Sequence, residues 1–119
     1  MRNFREYDIW IDSMEIVDKI YNAVDEFPKD ERFALISQMT RSAVSIPSNI
    51  AEGFDRQTNK EFIQFLYIAK GSCSEMRTQL YLAKRLKIIS IEESNNLLEQ
   101  SRKVSSMLFK LIQVRKEKF

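Results

Sequence analysis

No histidine occurs in the 119 residues, and Cys73 is the sole cysteine. Those shortages exclude a disulfide within the chain, any histidine-containing or multi-cysteine metal site, and catalysis through an imidazole. Glycine and proline number two each, which leaves little turn chemistry. With Leu, Ile, Ala, Lys, Glu and Met plentiful, the chain is expected to be all-α, built of few and long helices. No stretch nears the roughly 18 apolar residues that a membrane-spanning helix needs, and the opening MRNFREYDIW has charges of both signs where a leader would have an apolar run. A cytoplasmic protein with no membrane partner is the resulting expectation. The length suits one domain, residues 1–119, around a single core.

Charge is close to balanced but unevenly placed. Residues 1–31 hold four Lys/Arg against nine Asp/Glu, a net −5; residues 32–91 hold nine against four, +5; residues 92–119 hold six against four, +2. An acidic first helix is thus followed by a basic remainder. Either the two form complementary solvated faces of one bundle, or the basic part meets a polyanion.

Four helices can be read from apolar spacing. Trp10, Met14, Val17, Tyr21, Val24 and Phe27 recur at steps of four and three, predicting one face of a first helix that stops at Phe27-Pro28, since proline disfavours helical dihedrals in the residue before it. Ile36, Met39, Ala43, Ile46 and Ile50 predict a second helix from near Asp30 toward Gly53, with Pro47 inside it. Thr58 and Glu61 form a capping box that opens a third helix, whose inner positions are Phe62, Leu66, Ala69, Cys73, Met76, Leu80 and Ala83. Cys73 is therefore expected to be a small core residue. Ser90 and Glu93 form a second box, opening a fourth helix with Leu97, Ser101, Val104, Leu108 and Leu111 inward and Leu98, Ile112 and Val114 beside them. Short connections between helices of similar length predict an up-down-up-down antiparallel four-helix bundle packed near the 20° class.

One segment departs from this plain pattern. In RSAVSIPSNIAEG, Arg41 to Gly53, polar residues crowd beside the core stripe: Gln38, Arg41, Ser45, then the adjacent Ser48 and Asn49, and Glu52 follow at helical steps of three or four, and Ser72, Glu75 and Gln79 do the same on the third helix. An antiparallel hairpin turning near residue 56 sets Arg41 opposite Glu75, brings Gln38 near Glu75 or Met76, Ser45 near Ala69 and Gly71, and Glu52 near Lys60 and Glu61. The set is expected to be a buried or half-buried seam that serves structure or self-association, with Ser45, Ser48 and Asn49 bonding each other or carbonyls freed by Pro47. If Glu75 is buried, Arg41→Ala should cost about 3–5 kcal/mol. A catalytic use of Glu52, Glu75, Arg41 and Ser45 or Ser48 is weak, because no base for a serine and no Glu-x-x-His diiron motif is present. No catalytic, cofactor or metal residue is assigned.

The same residues carry a resemblance. Phe27, Pro28 and Glu31, then Gln38 and Arg41, then Ser45, Pro47, Asn49, Ile50, Ala51, Glu52 and Gly53, then Ala69, Gly71, Ser72 and Glu75 match the pattern F-P-x-x-E, Q-x-x-R, S-x-P-x-N-I-A-E-G, A-x-G-S-x-x-E. From Asp8 to about Leu86 the chain resembles the four-helix-bundle family that includes proteins encoded by intervening sequences in bacterial 23S ribosomal RNA genes. The resemblance implies a bundle assembled as a ring-shaped homopentamer and carries no established enzymatic activity. It extends distantly to the accessory variability determinant of diversity-generating retroelements, whose basic pentamer works with a reverse transcriptase and its RNA.

Candidates for contact with RNA or DNA are Arg77, Lys84, Arg85 and Lys87 late in the third helix, and Arg102, Lys103, Lys110, Arg115, Lys116 and Lys118 on the fourth. Phosphate neutralisation by these would be steeply salt-dependent. No aromatic platform accompanies them in the sequence, so base specificity is not expected. The competing reading is a scaffold that binds a partner protein and no nucleic acid.

Overall fold

The computed structural model describes residues 3–119, and among these no strand occurs. Helix α1 spans Asp8–Val24, α2 Ser37–Phe54, α3 Asn59–Arg85 and α4 Ile91–Lys118. A 3-10 turn, Phe4–Glu6, leads into α1; a second, Lys29–Glu31, continues through a π-helical turn, Arg32–Ile36, into α2. Each helix packs on the next, and α4 closes the bundle against α1.

Cross-helix partners give the directions. Tyr7 stacks on Phe54 while Asp12 reaches Lys103. Arg41 meets Glu75, Lys84 meets Asn95, and Lys116 meets Tyr67. Between α1 and α2, α2 and α3, and α3 and α4 these contacts join the early part of one helix to the late part of its neighbour, so neighbours run antiparallel. The body measures 46 × 22 × 20 Å, its long axis set by 27- and 28-residue helices rising about 1.5 Å per residue.

Local chemistry accounts for most boundaries. The backbone N–H of Glu61 donates to Thr58 Oγ1 (3.2 Å), and the Thr58 hydroxyl donates back to Glu61 Oε1 (2.8 Å). Glu93 N–H donates to Ser90 Oγ at 3.1 Å. Both predicted boxes are therefore helix starts. Helix α1 stops at Val24, three residues ahead of Phe27, and Phe27 N–H continues as a single turn onto the Val24 carbonyl. The second helix becomes regular only at Ser37, seven residues later than its predicted start, because a 3-10 turn and a π turn occupy the interval.

Inner faces of α2 and α3 follow their predicted stripes: Met39, Ala43, Ile46 and Ile50 are buried, as are all seven predicted positions of α3. In α4 the stripe drifts by one residue at its end, so Ile112 is buried where Leu111 was expected and Val114 is exposed. A straight helix turns every 3.6 residues, and a strict seven-residue rhythm falls behind it.

Helix α1 is rotated relative to expectation. Its core residues are Ile9, Ser13, Ile16, Ile20, Ala23 and Val24, while Trp10 and Val17 are half-buried and Met14 and Tyr21 exposed. Two adjacent stripes share the four-three rhythm in this helix, and periodicity alone does not choose between them. Burial falls to the isoleucines, which carry no polar atom, whereas Trp10 and Tyr21 keep their polar ends at the boundary. Ser13 enters the core without cost because its hydroxyl donates to the Trp10 carbonyl at 2.7 Å.

Cys73 is fully buried, and its thiol donates to the Ser101 carbonyl at 3.1 Å. Burial raises the thiol pKa above its ordinary value, opposed in part by the charges of Arg77 and Lys70. The thiol therefore stays protonated as pH rises through the usual thiol range. Stability owed to the neutral form is complete below that range and is lost as pH climbs through the raised value. A disulfide reagent such as dithionitrobenzoate is expected to leave the folded protein unlabelled at pH 8 and to titrate one thiol per chain in urea. Stoichiometric labelling within seconds in buffer would contradict this burial.

Candidate functional site

Two solvent-facing grooves flank α3, one shared with α2 and one with α4. The α2–α3 groove holds the predicted polar seam. Arg41 donates to Glu75 Oε2 at 2.8 Å and to Gln38 Oε1 at 3.1 Å. One turn on, the Ser45 and Ser72 hydroxyls are 2.8 Å apart, and Asn49 Nδ2 donates to both the Ser45 carbonyl (2.8 Å) and Ser45 Oγ (2.9 Å). Asn49 thus ties its side chain to Ser45 one turn back, beside Pro47, while the carbonyl that Pro47 leaves unpaired is that of Ala43.

The predicted pairing of Arg41 with Glu75 is present, and so is the approach of Ser45 to the small-residue stretch of α3, although its hydrogen-bond partner is Ser72. Three expectations need correction. Glu52 forms an ion pair with Arg56 of its own helix end, 3.4 Å away, because four residues along one turn is a nearer reach than the cross-helix alternatives. Ser48 is exposed. The Arg41 and Glu75 side chains are 60% and 43% exposed, so within one chain the pair is solvated.

The buried end of the seam was only partly foreseen. Gln79 is buried, and Ser42, absent from the predicted set, lies 2.7 Å from Gln79 Oε1 and 3.1 Å from the Met39 carbonyl. One hydroxyl proton serves both acceptors. Reading Ser42 as core would have required knowing which way α2 is turned toward α3. Beyond Gln79 the groove widens to about 600 Å³ between Leu35, Gln38, Glu75 and Leu82, and Leu82 and Leu86 are exposed along it.

The ten candidate cations divide by partner. Lys103 is the one matched to a carboxylate among the described residues, 3.4 Å from Asp12, and it faces α1. Arg115 donates to Asn59 Oδ1 at 2.8 Å and lies over the Phe62 and Phe119 rings, which makes it a clasp between the end of α4 and the start of α3. Arg77 donates to Ser74 Oγ at 3.2 Å. Lys84 donates to Asn95, Arg102 to Tyr81 and Lys116 to Tyr67, at 2.7, 2.7 and 2.6 Å. Arg85, Lys87, Lys110 and Lys118 are exposed. Apart from Lys103, then, the cations collect on the α3–α4 side and at its two ends.

Lys87 occupies an unusual place. It has φ of 62°, in the left-handed region that favours glycine. Its neighbours explain the geometry: Ile88 N–H donates to the Ala83 carbonyl and Lys87 N–H to the Lys84 carbonyl, 2.9 and 3.1 Å, closing the end of α3 in a Schellman-type cap. A lysine here is less stable than a glycine would be. It borders a groove of about 820 Å³ lined by Tyr81, Lys84, Arg85 and Ile91.

Aromatic residues do accompany these cations, contrary to the reading of the sequence. Tyr67 and Tyr81 stand on the α3 side and Phe109 on the α4 side, each about half exposed. Phe109 shares a cleft with Lys70 and Lys110. The available signal was heptad spacing: Tyr67 and Tyr81 are fourteen apart, and Asn95, Arg102, Phe109 and Lys116 are seven apart each time. Without the register of α3 against α4, those spacings do not reveal that the two rows meet.

No helix of the described residues is long and apolar enough to cross a membrane. The sequence pattern of a family described as 23S rRNA-intervening sequence protein matches residues 5–110. Nothing among curated proteins matches the chain. Among solved structures, a protein of unknown function from the S23 ribosomal protein family of Bacteroides thetaiotaomicron is similar, with TM-score 0.79, 27% identity, and 87% of this chain and 97% of that one covered.

Proposed function

This chain belongs to the 23S rRNA-intervening sequence protein family, and from that premise we propose that it is a non-enzymatic homo-oligomer, a pentameric ring, that binds RNA or DNA through its α3–α4 side. The observation that carries this reading is the gathering of Arg77, Lys84, Arg85, Lys87, Arg102, Lys110 and Lys116 on one side with no carboxylate paired to any of them among the described residues. Repeated around a ring, such a side makes a field that attracts phosphates and releases their counterions. The α2–α3 groove supports self-association: its exposed Leu82 and Leu86 offer apolar surface to a neighbouring copy, while the solvated Arg41–Glu75 pair lies at the rim of that surface. The family name, with its ribosomal RNA gene, accords with a nucleic-acid partner.

Light scattering is expected to read the mass of five 14.1 kDa chains. Labelled RNA and DNA, titrated at several salt concentrations, are expected to show affinity falling linearly on log-log axes. Exchange of Lys84, Arg85 and Lys87 for glutamine should reduce that slope by about 0.7–0.9 for each phosphate no longer neutralised. Lys87→Gly separates charge from fold: relief of the left-handed backbone should raise stability by about 1 kcal/mol while affinity falls. Absence of binding near physiological salt would replace this reading with a protein-binding scaffold.

A further inference from the structure

We infer that the α3–α4 groove is a platform for unpaired nucleic acid, with bases stacked on Tyr81 and Phe109 and phosphates held by the cations between them. This rests on the nucleic-acid reading above and makes it specific. The groove is crossed by rungs: Lys84 to Asn95, Arg102 to Tyr81, Lys70 beside Phe109, and Lys116 to Tyr67. The rise of α3 from Tyr67 to Lys84 makes the ladder about 25 Å long.

Exposure of the rings is what distinguishes this face from a plain basic patch. Tyr81 and Phe109 are 47% and 51% exposed, whereas Phe27 and Phe62 are buried in the core. Arg102 donates to the Tyr81 hydroxyl at 2.7 Å, which sets a cation beside the exposed ring. Alternating rings and cations match the alternating apolar bases and charged phosphates of a single strand. A duplex offers phosphates and groove edges but no free base face, because its bases are stacked on one another. Stacking tolerates any base, so selectivity here is for strandedness and not for sequence. The charge also selects the occupant: a second copy of the chain would have to bring its acidic α1 to this groove, and one of that helix's carboxylates, Asp12, is already paired with Lys103 of its own chain.

The test is fluorescence anisotropy on the intact protein with a labelled 12-nucleotide RNA, the same sequence as DNA, their duplex forms, and an abasic DNA of equal length. Both single strands are expected to bind more tightly than duplex or abasic DNA. Tyr81→Leu and Phe109→Leu should each weaken single-strand binding about 5- to 150-fold and leave the salt slope unchanged. Tyr81→Phe keeps the ring and should bind within about twofold of the parent protein, which excludes a folding defect as the cause. Equal binding of duplex, abasic and single-stranded DNA, or leucine variants that bind like the parent, would overturn the platform and leave the basic-surface reading standing. Loss of the oligomer in the leucine variants would overturn it in favour of a chain–chain contact. Failure of every nucleic acid to bind removes the platform together with the function it refines.

Discussion

Leu66→Ala is expected to lower the free energy of unfolding by about 2–5 kcal/mol, whereas Arg41→Ala should lower it by no more than about 1 kcal/mol. Leu66 is fully buried in the core row of α3, one turn after Phe62, with Ile46, Ile50, Met39 and Leu108 also at zero exposure. Truncation removes the transfer free energy of three carbons and leaves a void that long, straight helices cannot collapse to fill. Against a total stability of about 5–15 kcal/mol for a domain of this size, that is a large fraction. Arg41 is different in kind. With its side chain 60% exposed and its partner 43% exposed, the carboxylate left behind is rehydrated, so the roughly 3–5 kcal/mol expected for a buried pair does not apply. Urea unfolding of both variants, at one protein concentration, reads the contrast directly. An Arg41 variant that loses as much as the Leu66 variant, and loses it in step with dissociation of the oligomer, would locate the pair inside a contact between copies.

Gly53→Ala should destabilise the chain by about 1–3 kcal/mol, opposite in sign to the usual effect of replacing glycine within a helix. A Cβ at this position would stand 2.9 Å from Phe62 Cδ1, 3.2 Å from Phe65 Cβ and 3.3 Å from the Phe62 carbonyl oxygen. Phe62 cannot swing clear, because it packs on Phe54 at 4.6 Å between centroids and lies under Arg115. The end of α2 therefore packs directly on Phe62 and Phe65 at the start of α3, and a glycine fits there without displacing them. Gly71 is the internal control: a Cβ there meets nothing within 4 Å, so Gly71→Ala should be neutral or stabilising in the isolated chain. The pair of melting curves checks the argument. A Gly53 variant as stable as the parent would mean that the hairpin opens without cost.

Both capping boxes, the core rows of α2 and α3, and the opposition of Arg41 to Glu75 are legible in the sequence. These features depend on short-range rules: a hydroxyl three residues before a carboxylate, apolar residues at helical period, and a hairpin whose turn lies near residue 56. The candidate site is less legible. Its cations can be enumerated, but their partners cannot, since Arg115 clasps Asn59 and Lys116 holds Tyr67 across more than forty residues of chain.

By itself the sequence determined the number and kind of helices, the places where most of them begin, and the fate of Cys73, because each follows from forces acting within a few turns. Tertiary structure alone decided which of two apolar stripes of α1 turns inward, that the Arg41–Glu75 pair is solvated within one chain, and that Tyr67, Tyr81 and Phe109 lie among cations on the α3–α4 side. Those outcomes depend on the rotation of each helix about its axis and on its slide along its neighbour. Both are set by the packing of the whole core at once, and no local pattern records them.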